Sequence, residues 1–199
     1  MKEILENPVT GETIRVLESS PEVFKMEFAL RPHARVAGTH VHPGQDQRLS
    51  VEAGTLVCLV DGETKVVRAG ESVLVPAGTR HDQANPHDVP VRAIEEYRPA
   101  GRIHDFFRVY FGMAREGLTD RKGVPSPLLA AALFAEFRDS VRPGPLGLRI
   151  LIAVLSPLAA LLGHRRRVRA LAARSGPSAR TKMEVPPRDW GVHGESLET

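Results

Sequence analysis

Between residues 9 and 98, apolar positions come in short runs separated by turn residues, a pattern that predicts strands. Residues 23–30 alternate loosely. Residues 55–60 run into Asp61-Gly62 and then into the strand-like 63–67. Asp-Gly between two such runs predicts a hairpin, because a type I′ turn needs positive φ at both central positions. Ala69-Gly70-Glu71 predicts a second turn. Residues 73–75 form a short strand ended by Pro76-Ala77-Gly78, and 89–97 a last strand closed by Pro99. Closely spaced strands with such turns predict a sandwich or barrel. After Gly101 the period changes. Ile103, Phe106, Phe107, Tyr110, Phe111 and Ala114 fall on one helical face, and Gly117 can end that helix. Ser126-Pro127 offers an N-cap and an N1 proline for a second helix reaching about Val141, broken by Pro143-Gly144-Pro145. A third helix is expected over 146–162, with Pro157 inside it. The aromatic face of the first helix reads as packing against the barrel wall or a partner subunit, rather than as a cofactor site.

Composition adds bounds. The chain has 199 residues, 42% of them hydrophobic, enough for a core and against disorder throughout. Its one cysteine, Cys58, excludes an internal disulfide framework and any zinc site built from several thiolates. It reads as a small buried apolar residue. The net charge of +3 hides an asymmetry. Residues 1–100 carry 11 Lys+Arg against 15 Asp+Glu, and residues 101–199 carry 16 against 9. The first residues contain no apolar stretch of the kind that makes a cleaved secretory signal, so a cytoplasmic protein is expected. The longest apolar run, 150–163, has 14 residues, short of the roughly 20 that cross a bilayer. From 163 to 182 there are seven positive charges and no acid. Residues 146–169 are therefore candidates for peripheral membrane contact, a dimer interface or packing on the barrel. No aromatic residues interleave the basic cluster, so no specific nucleic-acid partner is expected. The organisation expected is a β-domain over 1–100, a helical extension over 101–174 and a flexible tail over 175–199.

The candidate chemistry lies in the β-domain. In His40-Val41-His42 the two imidazoles are two residues apart on a strand-like segment and can meet one ion. Gln47 begins the next strand, where its parity with Leu49 and Val51 turns it inward. His81 follows the Pro76-Ala77-Gly78 turn. Three imidazoles and an amide oxygen suit a borderline divalent ion: Fe, Mn, Ni, Cu or Zn. Asp46 beside Gln47 could swing in as a substitute carboxylate, but its outward strand parity argues against this. Gln83 and Asn85 are candidate pocket-lining residues. Asn85 also reads as a turn residue, and Glu95 and Tyr97 have inward parity. His33, His87, His104, His164 and His193 have no partner spacing and read as surface residues.

These residues carry a family resemblance. The chain resembles a single-barrel member of the cupin superfamily. The first family motif is matched by His40, His42, Gln47 and Gly54, with two departures: Gly38 stands too close to the histidine pair, and Gln47 replaces a glutamate. The second is matched throughout by Gly70, Pro76, Gly78, His81 and Asn85. The resemblance covers about residues 9–98. It implies an all-β double-sheet barrel of jelly-roll type, of six to eight strands, followed here by the α-helical extension, with a metal inside the barrel held by His40, His42, Gln47 and His81. Without the glutamate the ion keeps its full charge, making it a stronger Lewis acid at a weaker site. The resemblance further implies dioxygenases, isomerases, decarboxylases or lyases. The expectation is a homodimeric, metal-dependent enzyme on a small organic molecule, leaning to a dioxygenase-type oxidoreductase. Glu95 and Tyr97 are the first catalytic candidates. The other expectation is a non-catalytic metal- or ligand-binding sensor whose helical half docks to a partner or membrane.

Overall fold

The computed structural model describes residues 3–36 and 38–174. The tail expected over 175–199, and His193 within it, lie outside the described residues. The strands are β1 (Ile4–Glu6), β2 (Thr13–Ser19), β3 (Phe24–Leu30), β4 (His40–Val41), β5 (Asp46–Ala53), β6 (Thr55–Val60), β7 (Glu63–Arg68), β8 (Ser72–Val75), β9 (Arg80–Ala84), β10 (Val91–Arg98) and β11 (Arg142–Pro143). The helices are α1 (Ile103–Arg115), α2 (Pro127–Glu136), α3 (Leu146–Leu161) and α4 (His164–Arg174). The strands form two sheets, ordered β1-β2-β3-β10-β5-β8 and β11-β4-β9-β6-β7.

The strands bury alternate side chains. Phe24, Met26, Phe28 and Leu30 of β3 are buried and the residues between them are partly exposed. In β5, Gln47, Leu49 and Val51 turn inward and Glu52 outward, as their parity predicts. Asp61 and Gly62 both have positive φ, 50° and 89°, as the hairpin between β6 and β7 requires. Cys58 is buried in β6.

The helices pack on the barrel, and their buried residues join its core. One expectation about them fails. The second helix ends at Glu136, not near Val141. Arg142 and Pro143 instead pair with Val41 and His40, so the extension supplies an edge strand to the second sheet. The apolar residues Phe137 and Val141 fit a helical period, but the open edge of β4 takes the backbone that follows. The third helix falls where it is expected, and the basic segment after 163 forms a helix of its own. Gly163 has φ +81°, and α4 leaves α3 at an angle of 84°. No described single helix is long and apolar enough to cross a membrane; only the bent pair α3–α4 passes a test of length and composition.

Candidate metal centre and cavity

His40 and His42 flank Val41 at β4, and His81 lies opposite His40 on β9. One ring nitrogen from each histidine lies within 4.8 Å of the others. Each ring is oriented through its Nδ1. His40 Nδ1 is 3.0 Å from the Gly38 carbonyl, His42 Nδ1 is 2.8 Å from the Ser140 carbonyl, and His81 Nδ1 is 3.0 Å from the Thr79 carbonyl. A carbonyl only accepts, so each Nδ1 carries the proton and each Nε2 keeps its lone pair. The Nε2 atoms of His42 and His81 are buried with no hydrogen-bond partner. Burial lowers the pKa of all three imidazoles, that of His81 to about 3, and repulsion from neighbouring histidines adds to the effect at His42 and His81. Neutral imidazoles with converging, unpaired lone pairs are the donor set a divalent transition ion takes, so the residues fit a metal.

Gln47 is buried on β5, beside Tyr97 in the register of β5 with β10. Its Nε2 donates to Glu95 Oε1 and lies 3.3 Å from Tyr97 Oη. Its Oε1 is buried without a donor. Tyr97 Oη donates to Glu95 Oε1 at 2.7 Å, and its ring meets the His42 ring edge-on, 5.0 Å between centroids. Burial raises the Glu95 pKa to about 7, although hydrogen bonds from Tyr97, Gln47 and Gln83 oppose the shift. The carboxylate missing at position 47 therefore has a counterpart one strand away.

A cavity of about 810 Å³ opens beside this cluster. Its polar floor includes His40, His42, Gln83, Glu95 and Tyr97. Its wall and roof come from the helical extension, with Phe106, Tyr110 and Phe111 of α1, Leu133 and Phe134 of α2 and Ile152 of α3. The aromatic face of α1, read as packing, thus also lines the cavity.

Two sequence readings are corrected, for Asn85 and His104, and the parity argument against Asp46 holds. Asn85 does not line the cavity. Its Nδ2 donates to the carbonyls of Leu30, Arg31 and Val89, and its Oδ1 accepts from the His87 amide, so it ties a loop. Asp46 is no substitute ligand, because it is exposed and its Oδ1 accepts from the Ala77 amide at 2.8 Å. His104 is not a plain surface residue: it stacks on Phe24, 4.7 Å between centroids, and pairs with Glu3 at 2.8 Å. Two residues were missed. Glu12 is buried in the cavity wall, accepts a hydrogen bond from Thr10 at 3.0 Å, and has its pKa raised to about 7 by burial, with a smaller contribution from Glu95. The inward parity of Ile14 and Val16, carried back two residues, was its signal. Ser140, whose carbonyl orients His42, had none.

A family model, the cupin domain, matches residues 26–96, which include all three histidines and Gln47. Those residues form a cupin domain, and the helical extension lies outside the match. Among solved structures, it is similar to an RmlC-like cupin from Shewanella frigidimarina, with 26% identity over 52% of this chain and 89% of that one, at a TM-score of 0.47. It is similar to a sugar phosphate isomerase of the cupin superfamily from Silicibacter pomeroyi, with 23% identity, 47% and 62% coverage and a TM-score of 0.43. A third likeness is to KdgF from a Halomonas species, with 18% identity, 48% and 84% coverage and a TM-score of 0.44. Comparison with curated proteins finds no match. This cupin barrel carries its candidate metal centre on β4 and β9, and its helices close the space above that centre.

Proposed function

We propose that this cupin is a mononuclear metal-dependent enzyme acting on a small, largely apolar organic molecule with an oxygen function at one end. The observation behind this reading is the pair of buried, partnerless Nε2 atoms of His42 and His81, on rings whose Nδ1 atoms are held by backbone carbonyls. His40 completes the imidazole set, and the orphan Oε1 of Gln47 supports the fourth ligand position. The ion, of the Fe, Mn, Ni, Cu or Zn class, would supply a Lewis acid for a substrate oxygen. The aromatic wall holds the apolar part of the substrate and excludes water. Glu95 Oε1 is the proton acceptor, with Tyr97 Oη and Gln47 Nε2 orienting it. This arrangement favours proton transfer of isomerase or lyase type. The dioxygenase expectation rests on resemblance alone.

The test uses metal-loaded protein and a panel of aromatic and alkyl hydroxy and keto compounds in deuterated water. Deuterium incorporation at carbon should occur with wild type and fall by about a hundredfold in Glu95→Gln with metal retained. Silence across the panel with metal bound contradicts the enzyme reading and leaves the non-catalytic binding module.

A further inference from the structure

The outer face of α3 is apolar and, among the described residues, uncovered. Ile152 and Ala159 are buried, and the helix packs on α2. The opposite face presents Leu146, Ile150, Leu151, Val154, Leu158 and Leu161 to solvent, with Val154 68% and Leu161 83% exposed. A soluble helix normally keeps its apolar residues on one stripe. Contiguous apolar surface of this extent marks an interaction site.

The charge around the face selects its occupant. Arg149 is the one charged residue of α3 and is exposed. Arg166 and Arg167, just past the bend, are exposed too. Arg165 and Arg169 already engage Glu136. Residues 140–183 contain no Asp or Glu. A symmetric pairing of this face with a second copy places arginines together with no carboxylate from this stretch to pair them. An anionic lipid surface offers both an apolar layer and negative headgroups. At 16 residues, α3 is about 24 Å long, short of the roughly 30 Å hydrocarbon layer, so it lies in the interface and does not span it.

We infer that α3 and the exposed arginines of α4 dock this protein onto an anionic membrane surface, with α3 lying in the headgroup plane. Leu148 and Ile152 of the same helix line the cavity, so docking sets one wall of the cavity against the bilayer. The inference rests on surface chemistry and stands apart from the metal reading.

The test is flotation of the full chain with vesicles of phosphatidylcholine alone and of phosphatidylcholine mixed with phosphatidylglycerol. The chain should float with the mixed vesicles and far less with the neutral ones, and high salt should weaken binding. Val154→Glu with Leu158→Glu should reduce partitioning by about tenfold or more. Arg166→Glu with Arg167→Glu should remove the preference for anionic vesicles. All these side chains are exposed, so melting curves should match wild type and separate lost docking from lost folding. Three results would overturn the inference: a chain that floats with neither vesicle, equal binding to both that ignores the arginine changes, or a concentration-dependent dimer in lipid-free buffer that Val154→Glu dissociates.

Discussion

At the scale of single residues, burial sets the protonation of the cavity. Glu12 has its pKa raised from 4.5 to about 7 mainly by desolvation. Its folded-state pKa lies above its unfolded one, so from about pH 4.5 to pH 7 the folded chain holds more protons than the unfolded chain. Stability contributed at this site therefore falls as pH rises through that window, by about 3 kcal/mol in all. Glu12→Gln keeps an acceptor for Thr10 but cannot ionise. Its melting temperature relative to wild type should climb between pH 5 and pH 8, and a flat difference would contradict the account. The same scale shows what a sequence conveys. Spacing and parity suffice for His40, His42, Gln47 and His81, because a two-residue period fixes a side chain's face once the strand is known. Asn85 fits a motif equally well, yet its amide is spent on three carbonyls; a motif gives position and not partner.

At the scale of elements, turns are the best-read feature, since their backbone conformations demand particular residues. Gly54 joins β5 to β6 with φ +79°, and an added Cβ would stand 2.5 Å from the Pro90 carbonyl oxygen. Gly54→Ala should therefore cost more than about 2 kcal/mol in chemical denaturation. Matched midpoints would show that the turn relaxes freely. Helix α1 was legible from its period and its Gly117. The end of α2 was not, because the competing state is a strand pair made with β4, far away in sequence. Strands β1 and β2 likewise owe their definition to pairing, through Leu5 opposite Ile14 and Val16 opposite Met26.

At the scale of the whole molecule, the extension and the barrel meet at the candidate site. The Ser140 carbonyl that holds His42 lies between α2 and β11, and its hydroxyl accepts from the Arg102 amide at 3.0 Å. Phe137, fully buried, anchors that segment: its carbonyl accepts from the amides of Ser140 and Val141. Phe137→Ala should lower metal affinity by about tenfold to a hundredfold, read by chelator competition below the variant's melting temperature, through the Ser140 segment that Phe137 anchors. Unchanged affinity would make the extension a roof only. This coupling was invisible in the sequence, because residue 140 and residue 42 are joined by folding and by no motif.

The most direct test of the central claim is elemental analysis of the full chain, wild type and His42→Ala, purified alike without a histidine tag. The account predicts close to one divalent ion per wild-type chain and little in the variant, with both still folded by melting curve. A wild type that stays empty after incubation with iron, manganese, nickel, copper and zinc, or a variant that keeps its metal, would contradict it.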